Sequence, residues 1–215
     1  MVFLQSLFSP DSKFMQYFSR LYDLAVLNLL FLLCCVPIVT IGAANCALYT
    51  VCFRMDTERE EGIFRSFFRA FRGNFRQGTI LWLILALFGG ACVVNLMLFS
   101  QMGGLMQLPW ALFAVLLAVD CMLFAYVFPI MSLFHSSNKD CLKNSLLLSF
   151  GYLPRTLALC ILNIFPWAIL IMNLYAFLNM AFAWVFLYFS AAAYVNSRIL
   201  KAVFAPYLTN EEDSK

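Results

Sequence analysis

One carboxylic acid, Asp120, stands alone deep inside an apolar run, with no charged residue between Gln77 and Val119 before it. An acid in that position costs about 2.5–3.5 kcal/mol to place at the centre of a membrane helix, so it marks a candidate site. It could bind a proton, accept hydrogen bonds from a neighbouring helix, or face a partner subunit. No Lys, Arg or His lies at matching depth, which leaves Asn28, Asn95, Asn163 and Tyr126 as expected partners.

A second group runs from Glu61 to Gln77. Phe64, Phe67, Phe68, Phe71 and Phe75 recur at helical spacing and make an apolar face. Arg65, Arg69, Arg72 and Arg76 recur every three or four residues beside them, and Glu60 and Glu61 open the helix, where acids favour its dipole. Such a helix suits the membrane interface, with aromatics in the acyl boundary and Arg against anionic headgroups. The same face suits a cytoplasmic or membrane-borne partner.

Catalytic constellations are absent from the sequence. It has no Ser/His/Asp set, no paired carboxylates on one face, no H-E-x-x-H, no P-loop and no glycine-rich dinucleotide fingerprint. Eight cysteines include no C-x-x-C pair, and His135 is the only histidine, so no metal site is expected. The cysteines read as small buried hydrophobes. The expectation is a non-enzymatic protein with no cofactor and no bound metal.

The elements that must position these groups follow from composition. The 215 residues are 64% hydrophobic, 17% aromatic and 12% charged, and 24 of them are Phe. A soluble domain is about 25% charged and could not hide this much apolar surface. Net charge is +3, too small to suggest nucleic acid as a partner. Charge-free stretches cover residues 24–53, 77–119 and 156–197. About 20 helical residues cross a bilayer, so each of the two longer stretches is a pair of crossings. The fold class is all-α, a polytopic bundle of five to six membrane segments in a single integral membrane domain, with one cytoplasmic amphipathic helix. The opening residues lack the basic region and short apolar core of a cleavable signal peptide.

Residues 14–54 form a broken helical pair, interrupted at Pro37 and Gly42, with helices near 14–36 and 38–54. A cytoplasmic loop with the amphipathic helix follows at 55–78, a transmembrane hairpin at 79–134, a cytoplasmic loop at 135–155, a second hairpin at 156–197 and a cytoplasmic tail at 198–215. All Lys and Arg fall in the N-terminal segment, the two loops and the tail, and none in the turns at 100–108 and 173–179. The positive-inside rule then puts the C-terminus, and with six segments the N-terminus, in the cytoplasm. Asparagines within the spans and small residues at Gly42, Ala43, Ala44 and Ala47 suit helix–helix packing, and a homo-oligomer is compatible with them.

The run from Leu27 to Ala44, with Ala47-Leu48-Tyr49 after it, resembles the opening signature of the YesL family of bacterial membrane proteins. Phe67 to Phe75 is similar to that family's cytoplasmic helix, Tyr126-Val127-Phe128-Pro129 and Lys143-Asn144-Ser145-Leu146 to its later motifs, and Thr156-Leu157 to its last. The resemblance covers residues 8–208. It implies an inner-membrane protein without an assigned activity, whose gene neighbours encode carbohydrate ABC importers, two-component sensors and polysaccharide-degrading enzymes. The expected function is therefore an accessory or scaffold subunit that meets the permease and ATPase of such an importer. A small secondary carrier with proton coupling through Asp120, or a membrane sensor of carbohydrate uptake, is the alternative.

Overall fold

The computed structural model describes residues 13–55, 62–100, 107–134 and 136–212. Helix α1 (Lys13–Cys35) carries the first apolar run and stops before Pro37, whose ring disfavours helical backbone in the residue ahead of it. A 3₁₀ turn at Ile38–Thr40 makes the bend. The Thr40 hydroxyl reaches back within donating distance of the Cys34 carbonyl and, at 2.7 Å, of that of Pro37, so it can satisfy a carbonyl at the end of α1.

Helix α2 (Ile41–Arg54) is buried along 11 of its 14 residues. It is apolar on every side because it is surrounded by protein: α1, α3, α4, α5 and α10 all pack on it. The 14–54 pair is thus one lipid-facing helix followed by the axial core of the bundle. Close approach is made by glycine. A Cβ on Gly42 would overlap the Gly78 carbonyl, and one on Gly78 would lie 2.9 Å from the Ala43 nitrogen. Gly42→Val should therefore cost about 1–3 kcal/mol through overpacking at this crossing, read as a lower thermal midpoint in detergent. Gly62→Ala, where a Cβ meets nothing within 4 Å, should leave the midpoint unchanged.

Helix α3 (Ile63–Gly73) runs back along α2, ends where Asn74 caps the Ala70 carbonyl at 3.1 Å, and delivers α4 (Phe75–Ser100) beside the first turn of α2. Helix α5 (Gln107–Leu133) returns antiparallel to α4, with Trp82 against Phe124 and Phe99 stacked on Phe113, both pairs 6.0 Å apart.

Two stretches differ from the sequence expectation. The 135–155 segment, expected as a loop, contains α6 (Asn138–Gly151). Ser137 caps it, its hydroxyl accepting from the Asp140 amide at 3.4 Å and donating to the Asp140 carboxylate at 2.6 Å. Its buried side is Cys141, Ser145 and Ser149, whose serine hydroxyls bond to carbonyls of their own helix and so can pack without an unpaired donor. Burial pushes the Cys141 thiol up from its ordinary pKa, with the Ser136 hydroxyl partly opposing, which keeps it protonated and unreactive. Of the 198–215 segment, expected as a tail, residues 198–212 continue the last helix. Helix α7 (Leu153–Met172) ends at Asn173, whose side chain caps the short α8 (Leu174–Asn179). One turn, α9 (Ala181–Ala183), and a π-helical turn at Trp184–Tyr188 lead into α10 (Phe189–Glu212). Leu200, Val203 and Phe204 of α10 are fully buried, Phe204 between Phe53 and Phe134.

Among the described residues, four helices are long and apolar enough to cross a membrane: Tyr17–Cys35, Phe75–Ser100, Gln107–Leu133 and Leu153–Met172. Only 17–28% of each apolar window is buried inside the protein, so the rest presents Leu, Val, Ile and Phe outward. Apolar surface on that scale is a lipid contact. The chain is a helical membrane bundle.

Candidate functional site

Three groups of side chains stand out on this frame. On α3, continued through Asn74 into the first residues of α4, successive steps of about 100° divide the surface into three sectors. Ile63, Phe67, Ala70 and Asn74 share the side turned to the bundle; Phe67 is fully buried and Ile63 and Ala70 pack against the core. Phe64 and Phe75, 63% and 44% exposed, lie on the next sector with half-buried Phe68. Arg65, Arg69, Arg72 and Arg76 follow them on the exposed sector. The rings run as a ladder, Phe64–Phe68 at 4.7 Å, Phe68–Phe71 at 6.5 Å and Phe71–Phe75 at 5.6 Å. The sequence pattern joined all five phenylalanines in one contact face; the structure withdraws Phe67 as an anchor and leaves Phe71 half-buried against the core. An aromatic strip between a protein-facing side and an arginine side fits the expected pattern of a helix at a membrane surface. Glu60 and Glu61 lie outside the described residues, as do Arg59 and His135.

Asn28 is the second group. It is fully buried, and its amide serves the π-helical turn: Nδ2 donates to the Trp184 carbonyl at 3.0 Å and the Val185 carbonyl at 2.6 Å, while Oδ1 accepts from the Ser190 amide at 2.9 Å. A π-helical turn shifts the backbone register and leaves groups without the usual partner four residues away. One amide on α1 supplies both a donor and an acceptor to them. The Ser190 hydroxyl returns the tie by donating to the Leu24 carbonyl at 2.7 Å. Asn28 therefore joins α1 to α10 and is no partner of Asp120.

The other expected partners of Asp120 are also engaged elsewhere. Asn95 donates to Ala91 of its own helix at 2.8 Å. Asn163 accepts from Asn196 at 3.4 Å, and Asn196 also donates to the Tyr49 hydroxyl at 3.2 Å. The Tyr126 hydroxyl lies 3.0 Å from that of Thr156, which donates to the Ser149 carbonyl at 2.8 Å or that of Tyr152 at 3.1 Å. That chain joins α5, α6 and α7. Thr156→Val, which orphans the buried tyrosine hydroxyl, should cost about 1–3 kcal/mol; Tyr126→Phe leaves Thr156 its carbonyl partners and should cost about 1 kcal/mol or less. Denaturant titration of the two variants in detergent reads the difference.

Asp120 is the third group. It is 8% exposed, and its Oδ1 has no hydrogen-bond partner among the described residues. Its carboxylate lies against Gly89 of α4, where a Cβ would come within 2.5 Å of Oδ2. It borders a cavity of about 330 Å³ between α4, α5 and α7, lined also by Trp82, Phe124, Cys160, Asn163 and Trp167. Among the described residues no group of three or more His, Cys, Asp or Glu could hold a metal ion.

The sequence signalled Asp120, Asn28 and the arginine stripe. It gave no notice of Gly78, Ser190 or the Tyr126–Thr156 pair as joints, because each is defined by a neighbour on a distant helix.

Residues 24–96 match a family described as "Protein of unknown function, DUF624". The matched stretch contains Asn28, the bend at Pro37, the Gly42–Gly78 crossing and α3, and it ends before Asp120. No curated protein and no solved structure matches the chain.

Proposed function

We propose that this chain is a non-enzymatic accessory subunit of the bacterial cytoplasmic membrane that associates with a carbohydrate ABC importer and docks through α3. The observation that carries the reading is the division of α3 and the start of α4: Phe67 fastens α3 to the bundle while the stripe of Arg65, Arg69, Arg72 and, on α4, Arg76 stays exposed beside Phe64 and Phe75. A helix held rigidly by its own protein, with guanidinium groups outward, presents a preformed surface to carboxylates on a partner and to anionic headgroups beneath it. The positive-inside rule puts this end of the bundle in the cytoplasm, where an importer's ATPase and the cytoplasmic loops of its permease lie. The family match over 24–96 is consistent with the YesL resemblance, and the importer as partner comes from the gene neighbourhoods of that family.

The test is a photo-crosslinking residue placed at Arg72, against a control at lipid-facing Leu87, in the native host. Permease or ATPase adducts from position 72 alone support the docking surface. Equal adducts from both positions, or only lipid adducts from 72, contradict it.

A second reading, a small secondary carrier coupled to protons through Asp120, is favoured by the unpartnered carboxyl oxygen beside a cavity. Uptake that survives Asp120→Asn removes it.

A further inference from the structure

We infer that the cavity beside Asp120 is a binding site for a primary or secondary ammonium group carried on a small apolar body. Its volume of about 330 Å³ falls within the ~300–1,000 Å³ of small-molecule sites. Two features point to the ligand's chemistry. A buried carboxylate oxygen with no donor among the described residues is costly to leave unmet, and the lining residues include no Lys, Arg or His to meet it. An N–H cation supplies the missing donor and the missing charge together, where a quaternary ammonium would supply charge alone and a neutral alcohol only the hydrogen bond.

The surroundings select against the other classes. A single carboxylate is too few ligands for a hard metal ion, which takes six to eight oxygens or an octahedral set. A sugar would need several polar groups, and the wall offers chiefly Asp120, Asn163 and the Trp82 indole N–H, which has no partner among the described residues, between apolar side chains. Trp82, Phe124 and Trp167 instead provide aromatic surface, which attracts a cation and packs against an apolar body. Gly89 makes the room: any larger residue would place its Cβ within 2.5 Å of the Asp120 carboxylate. The site rests on this cavity alone, so it stands or falls independently of the docking of α3 and of whether the ligand is moved across the membrane.

The full chain in lipid nanodiscs tests it, with radiolabelled 2-phenylethylamine, a cation at neutral pH, and 2-phenylethanol as its uncharged counterpart. Empty nanodiscs correct for partition into lipid. The expected result is saturable binding that unlabelled amine displaces and the alcohol does not. Asp120→Asn should weaken it at least about tenfold, as expected on losing a charge-assisted hydrogen bond, and Gly89→Ala should weaken it by intruding on the carboxylate. Equal binding by wild type and a folded Asp120→Asn variant would overturn the site, as would no saturable component above empty nanodiscs, the outcome if an acyl chain fills the cavity. Should Asp120→Asn fail to fold, the wild-type preference for amine over alcohol decides, and a ratio near one overturns it.

Discussion

Replacing Asn28 with leucine is expected to destabilise the bundle by about 2–4 kcal/mol, more than any other single change at a buried polar position here. Leucine keeps the approximate shape of asparagine, so the loss is chemical. The carbonyls of Trp184 and Val185 lose a donor and the amide of Ser190 loses an acceptor, in a place water does not reach. Interhelical hydrogen bonds in membranes average only about 0.6 kcal/mol, because the separated helices find other partners. Asn28 exceeds that average because it serves two carbonyls of one π-helical turn and the Ser190 amide just after it, which have no substitute while the turn persists. Asn28→Asp should be as harmful or worse, since a carboxylate would face two carbonyl oxygens. Denaturant titration in detergent gives the stability, and hydrogen exchange at the Ser190 amide gives the mechanism. A variant as stable as the wild type, with that amide still protected, would show that the turn is held by something else.

The second large effect is expected at α3. Arg65→Glu combined with Arg72→Glu converts two exposed positive charges into two negative ones on the stripe, a change of four units at a surface that should meet acids. Rim charges act mainly on encounter rate and partner choice, and like charges placed together across an interface cost several kcal/mol. Co-purification with importer subunits should fall at least about tenfold. Membrane insertion should be unchanged, because neither residue lies in an apolar window and Phe67 still fastens the helix. Lost insertion would instead make the stripe a lipid anchor.

Sequence pattern and structure agree where one residue type acts through its own backbone. Pro37 broke the first apolar run as its ring geometry requires, and the stretch from 77 became two crossing-length helices, whereas 156–197 holds one, Leu153–Met172, followed by short helical turns where a second crossing was expected. They part where burial depends on distant neighbours. Helix α6 escaped periodicity because its buried side is Cys141, Ser145 and Ser149, small polar residues that read as loop; Ser137 followed by Asp140 was the available signal. The end of α10 escaped because Arg198 and Lys201 mark a membrane boundary, while Leu200, Val203 and Phe204 between and beyond them still carry helical spacing. Asp120 was visible as a lone charge, yet none of its four expected partners bonds to it. Hydrogen bonds between helices are set by their rotation and depth, which one sequence does not encode locally. Asn28 shows this most clearly, since its partners are backbone groups that only a π-helical turn makes available.

The most direct measurement of the docking account is recovery of the tagged protein from its native host in mild detergent, with quantitative mass spectrometry of what elutes beside it. The account predicts importer permease and ATPase at near-stoichiometric amounts with the wild type, and their loss with the Arg65→Glu, Arg72→Glu variant. A protein that elutes alone or only with copies of itself, at full yield and correctly inserted, would contradict it.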